Sequence, residues 1–413
     1  MSIFTINKFC LLINVPITLN NRLIIGALSM SSYDVVIVGG GPSGAAAAYD
    51  LAEAGFRVMI LDKKEFPRFK PCAGGVTTKA LHLFRYSIAP VIRSTTNTMV
   101  VGHGTGKQKT LSTNAPICAL TVRTELDQFC LEKTLQQQNV TFELIPGIKS
   151  IHQEKDTVTL ITKDDRSFEC RYLLGADGAH SQVRKLTGEF TPDRTAVALE
   201  GIIPYDRLKN IPEFTFDFGV VHKGYGWLFP KHDHVNVGLY TRRPDEVKIS
   251  KVQLNQYVQT RLGVDTVDHV CGFPIGTGGE HYQPTSKRVF LVGDAAGMSE
   301  ALLGEGIHNA IKSGQAAAGA LITAKRSNSS ALEAYKEAIY PVKHDALNCR
   351  KVARIFYKVL PVSYAFLSHY PVGTMAMNGF AAGLTLTECK HHMTSFKIDP
   401  KIVEPSSLTE YHH

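Results

Sequence analysis

Three glycines and one aspartate near the start of the sequence have the spacing of a nucleotide-binding site. In "GGGPSG", Gly39, Gly41 and Gly44 follow the pattern GxGxxG, and Asp62 stands about 20 residues further on. Glycines at these positions permit a tight turn and let backbone N–H groups approach a pyrophosphate at a helix N-terminus. The carboxylate of Asp62 can accept hydrogen bonds from a ribose and would repel a 2′-phosphate. This chemistry is the binding of a dinucleotide, either NAD or FAD.

The segments around these residues are predicted to form the strand–turn–helix–strand unit that such a site requires. Residues 33–38 are an apolar β-run that ends at the glycines, "AAAAYDLAEAG" follows as a helix of small residues, and "RVMIL" is a second strand that ends at Asp62. A lone GxGxxG is a weak signal, whereas the complete unit is specific. Pro42 and Ser43 inside the glycine loop, and Lys63 after the acid, are further candidate cofactor contacts.

Two distant segments favour FAD over NAD. "YLLGADGAHSQVRK" carries Asp177, and "RVFLVGDAAG" is a buried strand that ends in Gly293 and Asp294. Both resemble the paired motifs of FAD hydroxylases and reductases of the glutathione-reductase type. The resemblance implies that the first Asp-Gly lies near the flavin–nicotinamide region and that the second Asp holds the ribityl chain. Arg123, at the start of the helix-like "RTELDQFCLEKTL", matches a further FAD-contacting arginine of these enzymes. The alternative for the two aspartate motifs is an ordinary Asp-Gly turn, and the alternative for Arg123 is a solvated charge at a helix end.

The residue types in the glycine loop and the number of GxGxxG motifs indicate how FAD and an electron donor are bound. No His or Cys lies in the glycine loop, so we expect FAD to be bound tightly and without a covalent link. The sequence has no second GxGxxG, since "GHGTG" at residues 102–106 has the wrong spacing and no apolar strand before it. A nicotinamide donor, NADPH or NADH, must therefore bind transiently, and a ferredoxin stays open as the donor.

Three further motifs indicate the kind of flavoprotein. "KPCAGGV" follows the FAD unit, "GYGWLFPK" spans residues 224–231, and "GDAAG" is followed by "GEGIHNAIKSG". Together they resemble the geranylgeranyl reductase family, FAD-dependent reductases that saturate isolated double bonds in prenyl chains. The KPC and WLFPK motifs distinguish this family from related FAD hydroxylases, which share the other motifs but usually lack these two. The resemblance covers about residues 33–314, and it departs from the family at Ala73, where glycine is frequent, and at Ala301, where many members have proline.

The resemblance also implies roles for the residues of these motifs. Cys72 becomes a thiol beside the flavin ring, able to relay a proton or to tune the flavin. The alternative is a cysteine that packs in a glycine-rich turn. The further residues implied as cofactor contacts are Ala73, Gly74, Gly304, Gly306 and Ile307.

The aromatic residues of "GYGWLFPK" are the remaining site candidates. In a β-strand, Tyr225, Trp227 and Phe229 point to one face, while the two residues between them point to the other. We predict that the aromatic face lines a prenyl channel above the flavin, which makes Tyr225 and Trp227 candidate catalytic residues together with Cys72. The alternative is an ordinary core between a sheet and helices.

The order of the predicted elements gives the fold. The chain has 413 residues, 44% of them hydrophobic, enough for two or three domains. We predict an α/β (α+β) fold with a Rossmann-like FAD-binding domain of the glutathione-reductase and p-hydroxybenzoate-hydroxylase type, an inserted β-sheet substrate domain and a helical C-terminus. The predicted ranges are an extension outside the fold at 1–29, the FAD-binding domain at 30–100, 115–190 and 285–330, the β-sheet domain at 191–284 with part of 100–115, and the helical region at 331–413.

Charge and cysteine spacing exclude several classes of function. The net charge of +8 is spread along the chain without a Lys/Arg block, so nucleic acid is not an expected partner. The eight cysteines form no CxxC pair, and the adjacent His391 and His392 lack ligand spacing. We therefore expect neither a metal site nor a disulfide framework.

The C-terminal region mixes aromatic and apolar residues with basic ones, which suits peripheral contact with a bilayer. The alternative is a pair of core-packing helices. The basic residues in question are Lys343, Arg350, Lys351, Arg354 and Lys358.

These features together predict an FAD-dependent oxidoreductase that reduces isolated C=C bonds of a prenyl or geranylgeranyl chain. We expect it in the cytoplasm, peripheral on the membrane, with an isoprenoid or other lipid as substrate. Two alternatives stay open: an FAD-dependent monooxygenase that hydroxylates an aromatic or lipid substrate, and a non-catalytic escort protein that binds prenyl groups. The sequence does not specify the chain length, the head group or the oligomeric state.

Overall fold

The computed structural model of this protein describes residues 33–192, 195–369 and 371–389. The predicted extension at residues 1–29, as well as His391 and His392, lies outside the described residues. Among the helices of the described ranges, none combines the length and the apolar character that crossing a bilayer requires.

The described residues form strands and helices that are numbered here in chain order. The strands are β1 (Tyr33–Val38), β2 (Val58–Asp62), β3 (Gly75–Thr77), β4 (Ile92–Thr96), β5 (Thr98–His103), β6 (Gln108–Ser112), β7 (Cys118–Thr121), β8 (Val140–Leu144), β9 (Ile148–Gln153), β10 (Val158–Thr162), β11 (Ser167–Gly175), β12 (Thr195–Pro204), β13 (Thr215–Phe218), β14 (Gly224–Pro230), β15 (His234–Thr241), β16 (Asp268–Gly276) and β17 (Val289–Leu291). The helices are α1 (Pro42–Glu53), α2 (Thr78–Leu81), α3 (Arg123–Leu135), α4 (Gln182–Thr187), α5 (Lys251–Leu262), α6 (Ile307–Ser327), α7 (Ala331–Lys358), α8 (Leu360–Ser368) and α9 (Val372–Ala381).

The first sheet contains the predicted nucleotide-binding unit. Its strand order is β8-β2-β1-β11-β10-β9, and β17 pairs with β11. The pairs β8–β2, β2–β1, β1–β11 and β11–β17 are parallel, so these five strands end at the same edge. The predicted order of strand, glycine turn, helix and strand is confirmed by β1, α1 and β2.

Glycines allow α1 to pack closely against β1 and α6. A Cβ on Gly44 would lie 1.9 Å from the carbonyl oxygen of Gly39, and one on Gly314 would lie 2.2 Å from the carbonyl oxygen of Ser43. Both separations are far below van der Waals contact, so only glycine fits there. Gly314 thus serves the close packing of α6 against α1.

The second sheet separates two hydrophobic clusters. Its order is β16-β12-β15-β14-β13-β5-β6, and its pairs are antiparallel except for the parallel pair β13–β5. One face carries Trp227 and packs with Ala353 of α7 and Met377 of α9. The other face packs against α5 through Tyr257 and Leu254. A third, smaller sheet has the order β3-β7-β4. The predicted mixed α/β class with a helical C-terminus is confirmed, whereas the domain boundaries stay predictions.

Arg350 does not belong to an exposed basic set. It is 6% exposed and forms an ion pair with Glu280. The helical period explains the error, because Ala346, Arg350, Ala353 and Tyr357 follow one another at three to four residues along one face of α7, and all four are buried.

Candidate functional site

The ends of four parallel strands bring the predicted cofactor residues to one edge of the first sheet. Val38 of β1 pairs with Gly175 of β11, which pairs with Leu291 of β17. The chain segments that follow these residues are the glycine loop, the Asp177 turn and the Gly293–Asp294 turn. Ligands of open α/β sheets bind at such carboxyl ends. The tertiary structure thus assembles three motifs that lie far apart in the sequence.

The glycine loop has the backbone that its sequence predicts. Gly39 has φ +108°, and a Cβ there would lie 2.4 Å from the carbonyl oxygen of Ala176. Asp62 is buried, and its Oδ2 accepts the N–H of Gly40 over 2.9 Å. Pro42 is the first residue of α1, whose N-terminus has no side-chain cap. An uncapped helix start of this kind is suited to an anion.

Arg68 adds a positive charge beside this loop. Its Nη2 would be 3.2 Å from a Cβ on Gly41, and it lies 3.2 Å from Oδ2 of Asp127. Its Nε is 3.9 Å from Oδ2 of Asp62. Sequence reasoning missed Arg68, although it stands in "FPRFKPC", only four residues before Cys72.

Arg184 connects the Asp177 turn with the Gly293–Asp294 turn. Asp177 is largely withdrawn from solvent, and its Oδ2 accepts the N–H groups of Gln182 and Val183 at 2.6 and 3.2 Å, at the start of α4. Burial raises the pKa of Asp177, and its Oδ1 is buried without a hydrogen-bond partner. Arg184 donates to the carbonyl oxygen of Ala295 over 2.7 Å, in the turn that contains Asp294.

Asp294 lies next to the start of α6. Its Oδ1 accepts the hydroxyl of Ser299 over 2.6 Å. Gly306 immediately precedes α6, and a Cβ there would lie 2.6 Å from the Ser299 hydroxyl oxygen. Gly293 has φ +57°, and a Cβ there would lie 2.9 Å from the hydroxyl oxygen of Ser43 in α1. Ile307 is the buried first residue of α6.

Arg123 is a buried charge and not a solvated helix end. It forms a two-point ion pair with Asp127, with distances of 2.7 and 2.8 Å. Burial alone would lower the pKa of Arg123, but the Asp127 carboxylate and the nearby Cys72 side chain raise it. The charge of Arg123 therefore lies near the Cys72 loop. Lys63, in contrast, is an exposed side chain at the end of β2.

The loop that carries Cys72 is fixed by three residues from distant strands. The N–H of Cys72 donates to Oε1 of Glu200 over 2.8 Å. The carbonyl oxygen of Ala73 accepts a hydrogen bond from Nζ of Lys231 over 2.5 Å. Gly74 has φ +70°, and its carbonyl oxygen accepts the N–H of Thr121 over 2.8 Å. Cys72 itself is half-buried, and its sulfur accepts the N–H of Gly74 over 3.4 Å.

Glu200 and Lys231 are buried ionisable groups that sequence reasoning missed. Glu200 is 4% exposed, and burial raises its pKa to about 7. Lys231 is 6% exposed, and burial lowers its pKa to about 8. A signal was available for each, since Glu200 interrupts the apolar run "AVALEGII" and Lys231 ends the WLFPK motif. The Cys72 loop therefore rests on groups that can titrate near neutral pH.

Tyr225, Trp227 and Phe229 share one face of β14, as predicted. Their ring centroids are 6.1 Å apart for the first pair and 6.5 Å for the second. Trp227 is 3% exposed, and its indole N–H donates to Oδ1 of Asn236 over 2.7 Å. On the opposite face, a Cβ on Gly226 would lie 2.6 Å from the Tyr257 ring.

An apolar cavity of about 450 Å³ lies between the second sheet and the C-terminal helices. Its volume falls within the range of about 300–1,000 Å³ typical of small-molecule sites. Its polar lining residues are few, namely Ser363, Asn378 and Cys389. Residues from β5, β13, α7, α8 and α9 contribute the apolar lining, among them Met99, Phe216, Phe218, Ile355, Phe356 and Phe366.

The aromatic face of β14 does not line this cavity, and its predicted place in a prenyl channel stays a prediction. The lining comes instead from Phe216 and Phe218 of β13, whose rings lie 5.3 and 5.9 Å from that of Tyr225. Tyr225 and Trp227 form the layer behind this wall. The reason is strand order, because β13 and not β14 stands next to β5 on the side covered by α8.

The loop between Glu300 and Gly306 joins the cavity to the Asp294 region. The Glu300 carboxylate accepts the N–H groups of Leu302 and Leu303, each over 2.6 Å. The hydroxyl groups of Tyr225 and Tyr357 donate to the carbonyl oxygens of Leu303 and Leu302. Leu302 and Leu303 also line the cavity.

The same loop is well fixed at Ala301, the position where proline is frequent in the family. The carbonyl oxygen of Ala301 accepts the hydroxyl of Tyr240 over 3.2 Å. Gly304 has φ +71°, and a Cβ there would lie 2.8 Å from the Tyr240 ring. Hydrogen bonds from tyrosines thus hold the turn without a proline.

The cysteines of the described ranges are free thiols. In the same ranges, no group of three or more His, Cys, Asp or Glu side chains is placed to hold a metal ion.

Sequence comparison places this arrangement among known proteins. A model of the FAD binding domain matches residues 32–208. An uncharacterized protein of Methanosarcina barkeri is 34% identical over 369 residues, which are 87% of this chain and 93% of that protein. The chloroplastic geranylgeranyl diphosphate reductase of Arabidopsis thaliana is 29% identical over 371 residues, covering 82% of this chain and 78% of the enzyme. The menaquinone reductase of Mycobacterium tuberculosis is 30% identical over 316 residues, covering 70% and 76%.

Two solved structures share the fold. A geranylgeranyl bacteriochlorophyll reductase-like protein from Thermoplasma acidophilum has a TM-score of 0.73 at 20% identity, over 92% of this chain and 99% of that chain. PqsL from Pseudomonas aeruginosa, a probable FAD-dependent monooxygenase, has a TM-score of 0.64 at 18% identity, over 81% and 98%. The sequence relatives, together with the glycine loop and the KPC and WLFPK motifs, identify the chain as an FAD-dependent oxidoreductase that belongs to the geranylgeranyl reductase family.

Proposed function

We propose that this protein reduces isolated C=C bonds of a prenyl or geranylgeranyl chain, with electrons from NAD(P)H or another transient donor. The observation that carries the proposal is the apolar cavity, whose lining includes Leu302 and Leu303. Ala73, next to Cys72, packs against the same hydrophobic cluster as these two leucines. An apolar chain in the cavity would therefore contact the hydrophobic cluster against which the Cys72 loop packs.

The residues present fit a bound FAD. The uncapped start of α1 and the guanidinium of Arg68 suit the pyrophosphate, and Asp62 suits the ribose. Asp294 suits the ribityl chain. The unpartnered Oδ1 of Asp177 is an acceptor that a donor group at this edge of the sheet could satisfy after a small rotation. The remaining residues proposed as cofactor contacts are Gly39, Gly41, Pro42, Ser43, Gly44, Lys63, Cys72, Ala73, Gly74, Arg123, Gly293, Gly304, Gly306 and Ile307.

The cavity suits an isoprenoid because such a chain offers almost nothing to hydrogen-bond. The aromatic rings of Phe216, Phe218 and Phe356 can pack along its methyl branches. A site of this kind positions the reacting atoms through shape, and reacting atoms must be held about 3–3.5 Å apart. The head group would stay outside the cavity, since its lining contains no charged side chain.

Reduction of an isolated alkene also requires a proton, and Cys72 is the proposed donor. Reduced FAD would supply the hydride when bound. The Cys72 loop is held by Glu200, Lys231 and Thr121, so the thiol is presented on a fixed backbone. Glu200 and Lys231, with pKa values of about 7 and about 8, are proposed to supply this region with protons between turnovers.

Anaerobic turnover followed by mass spectrometry tests the proposal. The purified yellow protein is reduced with dithionite, mixed with geranylgeranyl diphosphate, and the product is extracted. Addition of two hydrogens per double bond is the expected result. Because dithionite replaces the natural donor, the outcome does not depend on whether NADPH, NADH or a ferredoxin serves in the cell.

Two results would contradict the proposal. Insertion of oxygen into the substrate after reduction in air, without hydrogenated product under anaerobic conditions, would identify a monooxygenase, whose fold PqsL shares. A protein that binds the prenyl chain stoichiometrically but leaves it unchanged, with or without reduced flavin, would be an escort protein. Menaquinone offered in the same assay distinguishes a quinone side chain from a diphosphate as the preferred substrate.

A further inference from the structure

Apolar side chains of α7 and α8 surround the opening of the cavity and are exposed. The exposed fraction is 65% for Ile355 and 64% for Phe366, and both residues also line the cavity. The nine residues of α8 carry no charge, and only Ser368 among them is buried. The exposed apolar residues of this stretch are called the mouth patch and consist of Val352, Ile355, Val359, Val362 and Phe366. Three of them, Val352, Ile355 and Phe366, line the cavity.

The charged residues that flank the mouth patch in the sequence are basic. Lys351, Arg354 and Lys358 are exposed on the same stretch of α7. Between Asp345 and Glu388, the sequence contains no Asp or Glu. The surface around the opening is therefore apolar at its centre and positive beside it.

We propose that the mouth patch docks on an anionic lipid bilayer, with the opening of the cavity facing the membrane. Apolar side chains of an interfacial helix enter the boundary between head groups and acyl chains, while Lys and Arg bind anionic head groups. The three basic side chains have the sign that such a surface requires. Ile355 and Phe366 belong both to the exposed patch and to the cavity wall, so an apolar chain could pass from the bilayer into the cavity without crossing water.

Docking and catalysis are separate claims. Membrane binding depends only on the mouth patch and on the basic residues, and delivery of an isoprenoid through the opening rests on the proposed function. The test therefore measures membrane binding of the full-length, flavin-loaded protein without substrate.

Co-sedimentation with vesicles tests the docking surface. Vesicles of phosphatidylcholine are compared with vesicles that also contain phosphatidylglycerol, at several salt concentrations. We expect binding to the anionic vesicles that weakens as salt rises. The double variant Ile355→Ser/Phe366→Ser should bind at least about tenfold more weakly, since each large apolar side chain loses its burial. Val252→Ser is the matched control, because Val252 is 64% exposed on α5.

Charge is tested in the same assay. Replacement of Lys351, Arg354 and Lys358 by Gln should weaken binding to anionic vesicles by about fivefold per residue and flatten its salt dependence. Replacement of Lys185, Lys248 and Lys251 by Gln is the control, since these exposed lysines lie elsewhere on the chain. Equal effects of the two triple variants would overturn the proposal.

Two further results would overturn it. The first is a wild-type protein that ignores anionic vesicles, or a double variant that binds as well as the wild type. The second is a concentration-dependent dimer in sedimentation velocity that the double variant abolishes while vesicle binding is absent, because the mouth patch would then belong to a second copy of the chain. Alkene reduction by the wild-type protein is measured separately in detergent, so failure of the docking surface is distinguishable from failure of the proposed reaction.

Discussion

The backbone N–H of Cys72 donates a hydrogen bond to Oε1 of Glu200 over 2.8 Å, although 128 residues separate the two. The second oxygen of Glu200 accepts a longer hydrogen bond, 3.5 Å, from the side chain of Asn236. Asn236 in turn accepts the indole N–H of Trp227 over 2.7 Å. A chain of hydrogen bonds therefore runs from the loop of the candidate thiol to the aromatic face of β14.

Glu200 is expected to make folding stability depend on pH. Burial raises its pKa from 4.5 to about 7 in the folded protein. The native state thus binds a proton more tightly than the unfolded chain, and the stability that Glu200 contributes is present below the unfolded pKa and is lost as the pH rises to about 7. Relative to the wild type, Glu200→Gln should gain up to about 3 kcal/mol of unfolding free energy between about pH 4 and pH 8.

Denaturant unfolding at a series of pH values measures this difference. Glu337→Gln is the control, because Glu337 is exposed on α7 and its replacement should leave the pH profile unchanged. A difference between Glu200→Gln and the wild type that is constant over the whole range would show that Glu200 does not titrate there.

Cys72→Ser should keep the yellow colour and the melting temperature but lower alkene reduction strongly, or change the number of bonds that are saturated. The hydroxyl fits the same half-buried position, yet it is a much weaker acid than a thiol. The measurement is turnover per bound flavin. Cys271→Ser serves as the control, since Cys271 is also half-buried but lies on β16. A loss of stability with unchanged turnover per flavin would make Cys72 a packing residue.

Asp62→Ala and Asp294→Ala should each weaken FAD retention. The lost hydrogen bonds to a carboxylate contribute about 1.5–3 kcal/mol each, which corresponds to about 10- to 100-fold in affinity. The loss of affinity is measured as the flavin released during gel filtration and by equilibrium dialysis. Asp206→Ala, at an exposed position, is the control. Full flavin occupancy in both site variants would show that these aspartates do not hold the cofactor.

Replacement of Trp227 and of Phe218 should have opposite consequences. Trp227→Leu leaves a void in the core and removes the donor to Asn236, so we expect a loss of about 3 kcal/mol of stability. Phe218→Leu changes the cavity wall with a smaller loss and should shift the preferred prenyl length. Melting temperatures and product ratios for substrates of different length separate the two effects. If Trp227→Leu instead shifts the substrate preference without lowering the melting temperature, Trp227 lines the prenyl channel and is not a core residue.

Local sequence determined the nucleotide-binding unit. β1, the glycine loop, α1 and β2 are continuous in the chain, and the steric constraint on Gly44, whose Cβ would meet the carbonyl oxygen of Gly39, acts within a single turn. Period and residue type are sufficient for such short-range features. The common face of Tyr225 and Trp227 was predictable for the same reason, because side chains alternate along any strand.

Only the tertiary structure decided which faces of the strands and helices pack against one another. Glu200 and Lys231 reach the Cys72 loop from positions 128 and 158 residues away in the chain, and no periodicity encodes such a pairing. The order of strands placed Phe216 and Phe218 at the cavity and Trp227 behind them. The packing of α7 likewise buried Arg350 against Glu280. Sequence patterns specify the apolar face of an element, but its partner depends on the long-range packing of the whole chain.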